Sequence, residues 1–130
     1  MHKIIALLIA SICFVGCQQQ TKDSNYHDPL LRQQLTTMLS NLNGDTSAPQ
    51  AINDLNSILT VNESKLSDEQ KDKLTSARDK LQDLQRNLDD FQIMQTKPDY
   101  TEAKGDENAR EGEALLDEAK NLIGEVAATF

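Results

Sequence analysis

Between Ser67 and Pro98 the apolar residues fall at Leu74, Ala77, Leu81, Leu84, Leu88 and Phe91, with gaps alternating between three and four. At 3.6 residues per turn these positions share one face of a helix, whereas a strand would scatter them over both faces. A one-sided helix of this length must bury its stripe against other helices. Ser67-Asp68-Glu69-Gln70 reads as a capping box at its start, and Pro98 ends it. The outer face offers Glu69–Lys73 and Arg86–Asp90 as i,i+4 pairs, each worth a few tenths of a kcal/mol. The stripe covers about two and a half heptads, short of the three or four that sustained coiled coils show. An intramolecular bundle is therefore expected, with self-association through helix 67–97 as the alternative.

Three further helices follow from the same period. Asp28-Pro29 opens the first with a good N-cap and a proline at the first helical position. Leu31, Leu35, Met38, Leu39 and Leu42 make its stripe, and Asn43-Gly44-Asp45 stops it, with Gly44 suited to a left-handed C-terminal position. A second capping pattern, Ser47-Ala48-Pro49-Gln50, begins a helix carrying Ile52, Leu55, Ile58 and Leu59, which fades at Val61-Asn62. After a polar linker from Thr96 to Gly105, a last helix is expected from about Asp106 onward. Leu115, Ala119, Leu122 and Val126 share its face, flanked by Leu116 and Ile123. Gly112 lies seven residues before Ala119 on that face, where a small residue lets another helix approach closely; Gly112 and Gly124 each cost about 1 kcal/mol in helix propensity. No stretch alternates with period two, so the fold class expected is all-α, a small bundle of about four amphipathic helices.

The N-terminus has a different character. Lys3 precedes the apolar run Ile4-Ile5-Ala6-Leu7-Leu8-Ile9-Ala10, which continues past Ser11 to Val15. A run of about 13 residues is too short for a membrane span, which needs roughly 20, and has the form of a signal peptide. Phe14-Val15-Gly16-Cys17 closes it and resembles the lipobox of bacterial lipoproteins. Phe14 stands where leucine is commonest, and Gly16 meets the need for a small residue at the cut. The resemblance covers the first 17 residues alone. It implies a diacylglyceryl group on the Cys17 sulfur, cleavage between Gly16 and Cys17, and a chain held on a membrane by covalent lipid. Cys13 is a poor competitor because bulky Ile12 precedes it. Gln18 follows the cysteine where enteric-type lipoproteins retained at the inner membrane commonly carry Asp, so the resemblance points to the outer membrane where a host has one.

The organisation expected is a removed signal peptide at 1–16, a lipidated cysteine and flexible tether at 17–26, and a helical domain at 27–130. Gln18 to Tyr26 shows no apolar period and reads as a tether with a root-mean-square span of roughly 17 Å. Cleavage removes Cys13 and leaves Cys17 acylated, so no disulfide can form within one chain. It also removes Lys3, leaving residues 17–130 one unit more acidic than the −8 of the whole chain. That acidity argues against nucleic acid, whose phosphates it repels, and against anionic lipid, and it selects basic or neutral partners. Leu, Ile, Val and Phe make up only about a fifth of residues 17–130, a fraction that borders on the disordered class. The three-four spacing decides for a folded, leucine-built core.

No catalytic constellation stands out. His27 is the one histidine beyond the signal segment and abuts Asp28, with too few partners for a metal site or a Ser-His-Asp triad. Asp89, Asp90, Glu111, Glu113, Asp117 and Glu118 fall on polar helix faces and read as solvated surface rather than as paired acid–base groups. Residues 41–52 hold oxygen-bearing side chains around Gly44 but lack the acidic last ligand of a calcium loop. Neither a phosphate-cradling glycine loop nor a nucleophile elbow is present. The sequence therefore predicts no enzyme, cofactor or metal. It predicts a lipid-anchored envelope protein that binds another envelope protein as adaptor or assembly module. The alternatives are an oligomeric helical spacer and a factor of the kind that pilots secretion subunits.

Overall fold

A computed structural model describes residues 28–130, and within them four helices and no strand. They are α1 (Pro29–Asn41), α2 (Ala48–Val61), α3 (Asp68–Gln95) and α4 (Glu102–Ala128). Short 3₁₀ turns at Asp45–Ser47 and Glu63–Lys65 bridge the first three. The all-α bundle read from the spacing is the fold observed. Residues 1–27, and with them Gly16, Cys17, the tether and His27, lie outside the described residues.

Helix starts follow local chemistry. The Asp28 carboxylate accepts hydrogen bonds from the backbone N–H groups of Leu30 and Leu31, both at 3.1 Å, filling donors that the first turn leaves orphaned. At α3 the expected capping box is complete: Gln70 N–H donates to Ser67 Oγ at 3.1 Å, and Ser67 N–H donates to Gln70 Oε1 at 2.8 Å. Gln70 is buried, and its Nε2 reaches Thr129 Oγ1 at 2.7 Å, so the start of α3 is tied to the end of α4.

The long helices α3 and α4, of 28 and 27 residues, form an antiparallel hairpin. Small or branched residues recur every seventh position along α4 at Gly105, Gly112, Ala119 and Val126, and all four are buried. A Cβ on Gly112 would meet Asn87 Oδ1 at 2.9 Å and Leu84 Cδ1 at 3.4 Å, so the close approach expected at this glycine is real and its neighbour is α3. The shorter helices, 13 and 14 residues, lie along the hairpin: α1 packs on α4 and α2 on α3. The core joins Leu31, Leu35 and Met38 of α1, Ile52, Leu55 and Ile58 of α2, Leu74 to Leu84 of α3, and Ala119 to Ala127 of α4. Each fully buried aliphatic side chain contributes roughly 1.5–3 kcal/mol.

Several local expectations are corrected. Gly44 is not left-handed, since no glycine has positive φ among the described residues. Instead α1 stops at Asn41, and the Ser47 hydroxyl donates to the Gly44 carbonyl at 2.6 Å. Ser47 is itself in helical backbone conformation rather than the extended one of an N-cap, and its hydroxyl also accepts from Gly44 N–H at 3.4 Å, so it makes no bond to the first turn of α2. Arg86 pairs with Asp83 at 2.8 Å rather than with Asp90, whereas Lys73 does meet Glu69 at 3.1 Å. The last helix begins at Glu102, four residues before the expected start, because Thr101 caps it by accepting from Lys104 N–H at 3.3 Å. Gly105 is thereby part of the first turn, where the Tyr100 ring occupies the space a Cβ would need. In α4, Ile123 is fully buried and Leu122 only partly, so the centre of the face lies one residue beyond the position inferred from spacing.

Candidate docking surfaces

The lengths of the two helix pairs decide where the surface is incomplete. Every core residue of α3 precedes residue 85, and every core residue of α4 follows residue 118. Beyond those points no other described helix covers the hairpin, because the α1–α2 connection at residues 42–47 turns the covering helices back and reaches the distal part only with Asn43 and Gly44. Leu88 and Phe91, the last members of the α3 stripe, are consequently half-buried rather than core. This distal half is held by other means. The Asn87 and Asn108 side-chain amides each donate to the other residue's backbone carbonyl, at 3.1 and 3.3 Å. Phe91 and Tyr100 meet edge to face with centroids 6.4 Å apart. Lys104 Nζ closes the turn onto Asp99 at 3.1 Å, which holds the Asp99 carboxyl below its ordinary range.

Two clefts result. The distal one, about 520 Å³, lies over Leu88, Phe91 and Leu116, with Tyr100 toward the tip and Asp106 and Glu113 at its rim. The other, about 610 Å³, runs between α1 and α2, which scarcely touch each other. Leu30, Met38, Ile58 and Val61 line it among neutral amides and hydroxyls, and Asp54 is the one charged residue lining it among those described. Leu30 and Val61 are 60% and 78% exposed, and both lie at the end of the bundle where the chain enters at Asp28.

Charges elsewhere bind the bundle together. The Asp28 carboxylate reaches Lys65 Nζ at 3.3 Å, and its pKa is lowered, chiefly by the Leu31 N–H bond and further by Lys65, against a burial that raises it. Lys73 bridges Glu69 and Glu125 on α4 at 3.1 and 3.3 Å, and Lys80 meets Glu118 at 2.8 Å. These carboxylates raise both lysine pKa values. Solvent screens these exposed pairs, so each adds little to stability.

The carboxylates singled out from the sequence, Asp89, Asp90, Glu111, Glu113, Asp117 and Glu118, are all exposed. They do not converge: Glu118 is paired across to Lys80, and Glu113 alone lines a cleft. No group of three or more acidic, histidine or cysteine side chains is placed to hold a metal among the described residues. None of the described helices is long and apolar enough to cross a membrane. The spacing argument missed the distal cleft and the Asn87–Asn108 bracket. The asparagines looked like ordinary surface polar residues, and only the unequal lengths of the helix pairs could have hinted at an uncovered half. Comparison with protein-family models, with curated proteins and with solved structures finds no match to this chain.

Proposed function

We propose that this protein is a lipid-anchored envelope lipoprotein that acts by binding, without turnover, as an adaptor or assembly module. The observation that carries the reading is Phe14-Val15-Gly16-Cys17 at the end of a short apolar run, with a polar stretch between Cys17 and the first helix cap at Asp28. Acylation at Cys17 by two or more chains would anchor durably, since each buried methylene adds about 0.8 kcal/mol. Anchoring confines the helical domain to one surface and raises its effective concentration for a partner there. Two open clefts on a helical scaffold suit recognition of a partner helix.

The α3 stripe is consumed inside the chain as far as Leu84, so it supplies no full-length seam for an oligomeric spacer. A monomer with one main crosslinked envelope protein is the expected behaviour. Metabolic labelling with an alkyne fatty acid tests the anchor: the intact chain should incorporate label, and Cys17→Ala should lose it and leave the detergent phase. Label retained by Cys17→Ala would refute acylation at that site. Hydrolysis of an envelope substrate by the purified domain, abolished by changing a single carboxylate, would refute the binding role.

A further inference from the structure

The α3–α4 hairpin is about twice as long as the helices that cover it. Over its covered half, α1 shows how the hairpin accepts a third helix: Leu31, Leu35 and Met38 lie on one face and are buried in the common core with Ala119, Ile123 and Val126. Over its distal half the same kind of stripe continues through Leu88, Phe91 and Leu116 with no third helix on it among the described residues. Ala109 adds a small exposed side chain to the α4 wall of that cleft, beside Gly105 and Gly112, whose own close contacts are spent on Tyr100 and on Asn87 and Leu84.

Charge decides what can fill it. From residue 86 to residue 113 the hairpin carries Asp89, Asp90, Asp99, Glu102, Asp106, Glu107, Glu111 and Glu113 against Arg86, Lys97, Lys104 and Arg110. Among the described residues only Asp99 of these acids is ion-paired. Of these acids Asp106 and Glu113 line the cleft, so a second copy seated there would bring its own net-acidic hairpin against them, and like charges facing each other oppose association. Among the described residues the α1–α2 cleft has no such field, with Asp54 the one charged side chain lining it. We infer that the distal cleft docks an amphipathic helix of a partner protein, apolar side chains seated on Leu88, Phe91 and Leu116, lysines or arginines facing Asp106 and Glu113. The inference rests on the binding-module reading above and names the surface and the chemistry of its partner.

The test needs no membrane. The Cys17→Ser chain lacking residues 1–16 keeps every core residue. Fluorescence anisotropy would measure its binding to a labelled synthetic amphipathic helix of about 14 residues, leucines on one face and lysines on both flanks, and to the same helix with glutamates for lysines. The lysine helix should bind at least about tenfold tighter, with affinity falling as salt rises. The double variant Asp106→Asn/Glu113→Gln, its fold checked by circular dichroism, should weaken binding about three- to tenfold. Asp54→Asn, in the other cleft, should leave it unchanged. Equal binding of both helices, or equal losses in Asp54→Asn and the double variant, would overturn the inference. So would a concentration-dependent dimer broken by Leu116→Lys, which would make a second copy the occupant. Failure of the helix panel while crosslinking in cells captures an envelope protein on another face removes this surface alone. If the native chain takes up no fatty-acid label in cells while the purified domain still binds the lysine helix, the anchored reading falls and the surface stands.

Discussion

Asn87 and Asn108 hold each other across the helical hairpin by reciprocal bonds, each side-chain amide donating to the other's backbone carbonyl, at 3.1 and 3.3 Å. The bracket sits where the four-helix body ends and the two-helix extension begins. Asn87→Ala should cost about 0.5–1.5 kcal/mol, the net worth of a hydrogen bond in a partly buried site. Asn87→Asp should cost more, because a carboxylate would replace the donor that faces the Asn108 carbonyl. Thermal melts give the total, and hydrogen exchange should put the loss in residues 85–110. Loss spread evenly over α1 and α2 would show that the bracket does not act locally.

Two glycines of α4 should respond in opposite senses to the same substitution. Gly124→Ala places a Cβ 3.9 Å from Leu39 Cδ1, an ordinary contact, and should stabilise by about 0.5–1 kcal/mol through helix propensity. Gly112→Ala meets Asn87 Oδ1 at 2.9 Å, and Asn87 is held in place by Asn108. It should be neutral or destabilising despite the same propensity gain. Equal stabilisation by both changes would mean the hairpin separates easily at Gly112.

Leu84 and Leu88 belong to one stripe but not to one environment. Leu84 is fully buried, and Leu84→Ala should cost about 2–5 kcal/mol. Leu88 is half-buried beside the distal cleft, so Leu88→Ala should cost clearly less. Urea denaturation at matched pH compares them, and comparable losses would mean the distal half is as tightly packed as the body.

This difference marks what spacing could reveal. The period of three and four located all four helices, the capping box at Ser67 and the close approach at Gly112, because each depends on residues near in sequence. It could not tell Leu84 from Leu88, since burial at a given step of the stripe depends on where α1 and α2 end in space. Gly105 misled for a related reason: glycine reads as a breaker, yet here it makes room for Tyr100 while Thr101 caps the helix. Ser47 read as a cap because its pattern fits one, and the competing acceptor at Gly44 became visible only with the turn in place.

Asp28 gives a pH signature. Its folded pKa lies below the ordinary 3.8, so its ionised form is favoured by folding. The resulting stability is complete above 3.8 and fades as pH falls through the lower folded value. Asp28→Asn keeps a competent cap but loses the charge facing Lys65. The variant should be less stable than the parent at neutral pH, with the gap shrinking below about pH 4. A gap independent of pH would assign the loss to capping geometry rather than to charge.

The chain enters the bundle at Asp28, beside Lys65 and the Gln70–Thr129 bond, and the hairpin turn near Pro98 lies at the other end of α3. With 28 residues at 1.5 Å each, α3 separates these ends by roughly 42 Å. The eleven peptide links from Cys17 to Asp28 span no more than about 40 Å even fully extended. An acylated protein in vesicles should therefore keep its Asp28 end near the headgroups and its tip in water. The acylated protein carries no other thiol once Cys13 is removed with the signal segment, so one introduced cysteine takes one fluorophore. Val61→Cys, exposed at the near end, should be quenched by a spin label in the bilayer interface. Ile93→Cys, 56% exposed on the far part of α3, should not. Flotation with the vesicles verifies the anchor before either reading. Equal quenching at both positions would mean the bundle lies flat, and the distal cleft would then face lipid instead of a partner approaching from the aqueous side.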